Sequence, residues 1–260
     1  MHMAMYDNEN TVEKSFNLDY ISEYLLQAQW AEFIELKKVI AEISKHQKRP
    51  ISMLDIGIGN ARIPTHLSGI KEIWKLIEKY DGTDNANACV EIATKNLEAL
   101  QIQDKVKAYF FDALNLDQWK QQYNLVITTW FTAGNFYPNL FSFENYADSK
   151  ERLDLTKNEK FETIFKNAYN LLLPGGELLI GACYIDNENT RLIQEASYKK
   201  MGMTIITDAN DHFTATKEGF WSQRFTQAQL LNYLHFVPAH KINFINLDTY
   251  EYAMQVRIKK

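Results

Sequence analysis

From Asn17 to His46 apolar residues recur at helical spacing, with Ile21, Leu25, Ala28, Ile34 and Ile43 set among polar neighbours, which predicts one or two amphipathic helices. The period then changes. Short apolar runs alternate with helical stretches: ISMLDI at 51–56, KYDGTD at 79–84, KVKAYFF at 105–111, YNLVITT at 123–129 and ELLIGACY at 177–184. Such alternation marks βαβ units and a mainly parallel sheet. Thr156 with Glu159, and Thr226 with Gln229, have the spacing of capping boxes, so helices are predicted near 157–173 and 227–236, the first ended by PGG at 174–176. KINFINL and EYAMQVRI are joined only by DTY, too short for a parallel crossover, so the last strand must be antiparallel. MTIITD, HFTATK and FWSQRF predict a β-meander inserted at 203–225. The organisation expected is an N-terminal helical cap, 1–48, followed by an α/β unit, 49–260, that carries the meander.

A chain of 260 residues with 46% hydrophobic side chains can bury a substantial core. Its formal charge of −5, with no block of lysine or arginine, argues against affinity gained by neutralising a phosphate backbone, so nucleic acid is not an expected partner. Cys89 and Cys183 lie far apart without CxxC spacing, which suggests neither a metal site nor a disulfide framework. A cytoplasmic location is the expectation. No basic segment followed by an apolar run opens the chain, and no window reaches the ~18 apolar residues of a membrane helix.

The candidate chemistry begins in ISMLDIGIGNARIPTHL, Ile51 to Leu67, a buried strand entering a glycine turn and then a helix. Open α/β sheets bind ligands at the carboxyl ends of their strands, and Gly57 and Gly59 let backbone approach a ligand there. The bland alternative is a tight turn and nothing more. A dinucleotide needs GxGxxG, but the third position is Arg62. Asp55, Gly57, Gly59 and Ala61 instead fit DxGxGx(G/A), whose carboxylate would repel a diphosphate and suit a ligand bearing an ammonium group.

On these residues, and in register from about residue 50 to the C-terminus, the sequence resembles the class I S-adenosylmethionine-dependent methyltransferases. YDGTDNANACVEIA is similar to the second family motif, YFFDALNL to the third, YNLVITTW to the fourth strand, and LLLPGGELLIG to the helix, turn and fifth strand. The resemblance implies a Rossmann-like fold with a mostly parallel seven-stranded sheet and S-adenosylmethionine as cofactor. It implies that Asp55, Gly57, Gly59 and Asn60 form the binding turn, that Asp84 and Asn85 meet the ribose, that Asp112 and Ala113 meet the adenine, and that Thr128 and Thr129 lie beneath the methionine moiety. Asp55 and Asp84 are 29 positions apart, against ~20 for the usual spacing. Ile70, Ile73, Trp74, Ile77 and Tyr80 are spaced for one helix face, which predicts an extension of the first helix and leaves Asp81 as the fallback for Asp84. Either Asp84 or Asn85 could also cap the helix that follows.

Methyl transfer from a sulfonium mainly requires alignment and exclusion of water, so the cofactor motifs say little about the acceptor. The loop TTWFTAGNF lacks the (D/N)PP(Y/F/W) motif of amino methylation on adenine or glutamine, the proline–cysteine pair of cytosine methylation and the paired glutamates of arginine methylation. A small-molecule acceptor is expected, without metal; a protein side chain or a non-catalytic S-adenosylmethionine-binding module is the alternative, and a nicotinamide oxidoreductase ranks below both because of Arg62. Trp130 to Tyr146 holds seven aromatic residues, read either as an acceptor pocket or as a packed lid. Within it GNF at Gly134 to Phe136 is similar to a loop of histidine N-α-methyltransferases, which implies that Asn135 holds an amine or amino acid. Further acceptor candidates are Trp130, the cap residues Tyr20 and Tyr24, with Tyr6 and Phe16 beside them, and His212 and Trp221 in the meander. His66, His235, His240 and Cys89 read as structural.

Overall fold

The computed structural model describes residues 6, 14, 16, 17, 19, 21–247 and 251–260. One long helix, α1 (Glu23–Gln47), carries the first apolar pattern; Ser22 caps it by accepting from Leu25 N, and Lys48 ends it in the left-handed region. Leu25, Ala28, Leu36, Val39, Ile40 and Ile43 form its buried stripe. Ile34 is 46% exposed, because 100° per residue carries position 34 off the stripe through 36, 40 and 43.

Seven strands form the main sheet, in the order β3 (Val106–Phe110), β2 (Ile77–Asp84), β1 (Ile51–Ile56), β4 (Tyr123–Thr128), β5 (Leu172–Ile185), β9 (Ala253–Lys259) and β8 (Ile242–Asn246). β9 alone among these seven runs opposite to the other six, as the short link before it requires. Both faces of the sheet are covered, so its central strands β1 and β4 are buried along almost their whole length, Ser52 alone being partly exposed. Met53, Leu125, Ile127 and Leu179 pack beneath α1, α2 (Arg62–Ser68) and α4 (Asn87–Ala99). Their alternates Leu54, Val126, Leu178 and Ile180 pack beneath α6 (Glu159–Asn170) and α8 (Gln227–Tyr233). The order reverses between β1 and β4, which opens a crevice at their carboxyl ends.

Three local expectations are corrected. The first helix does not extend past Gly69: α3 (Lys71–Trp74) is a separate turn, and Ile77 and Tyr80 belong to β2, where burial between β1 and β3 outweighs their helical spacing. Thr156 does not cap α6, because its N–H and hydroxyl both bond Asp154 Oδ1 at 2.9 and 2.6 Å; Asn158 takes the role, accepting from Phe161 N at 3.0 Å. The capping box at Thr226 and Gln229 is formed. The meander reduces to a hairpin of β6 (Phe213–Ala215) and β7 (Trp221–Phe225), with β7 pairing parallel to the end of β5. Its first run makes a single bridge, Ile205 to Thr216, since Glu218 and Asp211 side chains take the N–H groups of Thr204 and Asp208. Two further helices, α5 (Tyr146–Glu151) and α7 (Glu188–Lys200), complete the chain. Among the described residues no helix is long and apolar enough to cross a membrane.

Candidate functional site

A cavity of about 970 Å³, open water at its mouth included, lies in the crevice between β1 and β4. Its floor is the glycine turn. Gly57, Gly59 and Ala61 have φ of 82°, 57° and 62°, and the turn is tied to β2 by Gly57 N and Ile58 N, both donating to Thr83 O. A Cβ on Gly57 would stand 2.8 Å from Thr132 Cγ2, so only glycine fits both the dihedral and the space.

Asp84, the last residue of β2, accepts from Gly59 N and from Ala86 N, each at 3.0 Å. One carboxylate thus joins the turn to the start of α4. Burial raises its pKa from the ordinary value, against the lowering effect of the backbone bonds. Asp81 lies three positions earlier, on the opposite face of the strand, where it accepts from Tyr123 OH at 2.6 Å and pairs with Lys79 at 2.8 Å; it is absent from the cavity wall. Ala86 is the N-cap of α4, so neither Asp84 nor Asn85 occupies that position. Asn60, Asn85, Asp112, Ala113 and Thr129 all line the cavity, and Asp112 accepts from Leu114 N at 2.9 Å at the end of β3.

Two of the residues expected at the cofactor stand behind the wall. Asp55 is 1% exposed, accepts from Tyr80 OH at 2.6 Å, and is pushed up to about 7 by burial. Thr128 is fully buried and its hydroxyl has no partner among the described residues. What the cavity has on that side is Arg62, the residue at the third glycine position, whose guanidinium lies 5.1 Å from the Trp130 ring.

Trp130 and Phe131 follow β4 in the left-handed region, at φ 57° and 60°. Two such non-glycine residues in succession are a strained arrangement that its surroundings must hold. Phe131 stacks on Tyr184 at 3.7 Å, and Trp130 N donates to both carboxylate oxygens of Glu32, at 3.1 and 3.3 Å. Glu32, from the middle of α1, is fully buried, pairs with Arg62 at 3.5 Å, and is pushed up to about 7 by burial, which the Arg62 charge and the Trp130 bond oppose. It lies so close to β5 that a Cβ on Gly181 would collide with its Oε1. Glu32 was missed as a candidate, although the sequence carries a signal: an acid between Ala28 and Leu36 sits on an otherwise apolar helical stripe.

Of the acceptor candidates, Trp130 and Asn135 line the cavity, and the buried Oδ1 of Asn135 has no hydrogen-bond partner among the described residues. Tyr6 and Phe16 line it too, packed on Ala86 and Cys89. Tyr20 lies outside the described residues. Three candidates do not reach the cavity wall. Tyr24 is 39% exposed, with its ring 6.3 Å from Tyr252. His212 has a side chain 60% exposed and bonds Asp186 at 2.6 Å on another surface. Trp221 is fully buried, stacked on Phe213 at 3.9 Å and 4.4 Å from Phe141, so it packs the core of the insertion. The aromatic segment divides in the same way: Trp130 and Phe136 line the cavity, while Tyr137, Phe141, Phe143 and Tyr146 pack around Phe213 and Trp221. Among the described residues no cluster of histidine, cysteine and carboxylate side chains could hold a metal ion.

No family model and no curated protein matches the sequence. Solved structures do. Magnesium protoporphyrin IX methyltransferase from Synechocystis, with SAH bound, gives a TM-score of 0.54 at 12% identity over 92% of this chain and 88% of its own. The CcbJ methyltransferase from Streptomyces caelestis gives 0.56 at 12% identity, covering 90% of this chain and 88% of its own. An O-methyltransferase family protein from Burkholderia thailandensis gives 0.54 at 11% identity over 87% of this chain, which spans 55% of that protein. The fold is therefore that of the class I S-adenosylmethionine-dependent methyltransferases, with the glycine turn and Asp84 at its switch point.

Proposed function

We propose that the protein is an S-adenosylmethionine-dependent methyltransferase acting on a small molecule, an amine or amino acid, by direct in-line transfer. The observation that carries this is Asp84: a carboxylate at the end of β2, held by Gly59 N, on the wall of a cavity floored by the glycine turn. The residues present suit the donor. Asp84 would accept from the ribose hydroxyls, Asp112 and the Ala113 backbone would meet the adenine, and Arg62 would meet the carboxylate of the amino-acid end. The absence of a third glycine, where Arg62 stands, disfavours a dinucleotide.

When bound, S-adenosylmethionine supplies an electrophilic methyl group on a cationic sulfur. The chain's part is alignment and dryness: Phe16, Trp130, Phe136 and Ile164 would keep water from the reacting atoms. The Oδ1 of Asn135, unpartnered among the described residues, supports a small polar acceptor, since it can accept from an N–H and aim the nitrogen lone pair at the methyl group. Burial raises the Cys89 thiol and the Tyr6 hydroxyl far above their ordinary values, so neither is a base at neutral pH. The acceptor nitrogen would lose its proton to solvent before it enters.

Calorimetric titration with S-adenosylhomocysteine, with NAD as control, tests the donor site. Asp84→Ala should lose about 3 kcal/mol through its ribose bonds, roughly a hundredfold in Kd. Binding of NAD in preference, or equal affinity in the variant, would reject the proposal. A screen of amines and amino acids for turnover to S-adenosylhomocysteine then tests the acceptor class.

A further inference from the structure

We infer that Glu32 is a positioning residue for the amino-acid end of the methyl donor: it holds Arg62 and the Trp130 turn together so that the free face of the guanidinium is presented to the donor carboxylate. This rests on the donor site proposed above. Helix α1 supplies the cavity with no lining residue, yet it places one fully buried carboxylate against two residues that do line it. The Glu32 carboxylate accepts from Trp130 N at 3.1 and 3.3 Å and pairs with Arg62 Nη2 at 3.5 Å. One helical turn earlier, the Gln29 amide, with its oxygen toward Arg62, accepts from Nη1 and Nε at 3.0 and 3.2 Å. The side of the guanidinium facing α1 is thereby engaged, and its remaining N–H groups are left for a bidentate anion on the cavity side.

The groups around Glu32 make its charge consequential. Arg62 comes from α2, Asp55 from β1 and Cys183 from β5, while Tyr80 on β2 bonds Asp55. Arg62 is attracted by both buried carboxylates, with Glu32 the stronger influence. Without the Glu32 charge, Asp55 is the remaining carboxylate that attracts Arg62, and the guanidinium would turn behind the glycine turn, away from the cavity. Glycine at 181 is what leaves room for the carboxylate in its present place.

Two nucleosides separate positioning from general structural support. S-adenosylhomocysteine carries the amino-acid end, and 5′-methylthioadenosine keeps the nucleoside and sulfur without it. Glu32→Gln, which retains the shape and an acceptor for Trp130 N, should weaken S-adenosylhomocysteine tenfold or more in calorimetry and 5′-methylthioadenosine less than twofold. Arg62→Met should show the same selectivity, and Glu32→Gln added to it should cause no further loss. The double variant leaves no unpaired cation in the interior, so it also serves if Glu32→Gln alone does not fold. Equal weakening of both nucleosides, weakening of neither, or further selective loss in the Arg62→Met background would overturn the inference while leaving the donor site standing. Failure of the parent protein to bind S-adenosylhomocysteine would overturn the donor site and the inference together.

Discussion

Gly181→Ala tests the packing on which the cavity depends, at a residue that is itself absent from the cavity wall. The new Cβ would collide with Glu32 Oε1 and stand 2.8 Å from the backbone oxygen of Thr128. That oxygen is held, because Thr128 pairs with Ile180 in the β4–β5 ladder, so the Glu32 side chain must give way. Its displacement forfeits the bonds from Trp130 N, about 1.5–3 kcal/mol for a bond to a charged group, on top of about 1–3 kcal/mol for overpacking. A loss near 4 kcal/mol follows, and at roughly 2–4 °C per kcal/mol for a chain of this size the melting temperature should fall by about 10 °C. Circular dichroism during heating reads this directly. In a double-mutant cycle, Glu32→Ala with Gly181→Ala should cost about 2 kcal/mol less than the two single losses added, since removing the carboxylate removes the collision. A single variant melting within about 2 °C of the parent, or strict additivity in the cycle, would refute the close approach of Glu32 to β5.

Asp55 predicts a pH dependence with a definite sign. Its carboxyl is pushed up to about 7 from an ordinary 3.8, so between these values the folded chain keeps a proton that the unfolded chain has released. Stability from this group is therefore greatest in acid and falls as pH rises, by at most about 1.4 kcal/mol per pH unit, levelling above neutrality. Asp55→Asn, which can still accept from Tyr80, should gain on the parent in denaturant titrations between pH 5 and pH 7; a difference that stays constant across that range would contradict it. Asn135→Ala should raise KM for the acceptor with S-adenosylhomocysteine affinity within twofold of the parent, and an unchanged KM would remove Asn135 from the acceptor site.

The strands of the sheet were legible because each is a local pattern. Ile51 to Ile56 and Tyr123 to Thr128 are apolar runs whose extent follows from burial on both faces, and the short DTY link leaves β9 only an antiparallel partner. The glycine turn was legible for the same reason: positive φ is a property of the residue itself. Asp84 stands at the cavity although it lies 29 positions after Asp55, against ~20 for the usual spacing; the extra residues form a short turn and the start of β2 rather than more helix.

What separated the candidates was the fold. His212, just before β6, and Trp221, in β7, belong to one hairpin, yet one is on an exposed surface with Asp186 and the other is packed on Phe213, because the pairing of Ala215 with Trp221 puts Trp221 on the Phe213 face and the sequence does not say which face will be covered. The aromatic segment after β4 supplies a packing cluster with four of its rings and the cavity with two, a division set by where β6 and β7 dock. The cluster of Glu32, Asp55, Arg62 and Trp130 joins positions up to 98 residues apart. Chain order by itself determined the sheet, the turn and the carboxylate at the end of β2; only tertiary packing decided that Asp55 would lie behind the wall, that Arg62 would line the cavity, and that an acid on the apolar stripe of α1 would meet Arg62 and Trp130. The physical reason is range: backbone dihedrals and apolar period act within a few residues, whereas burial of a charge is decided by whatever the rest of the chain brings beside it.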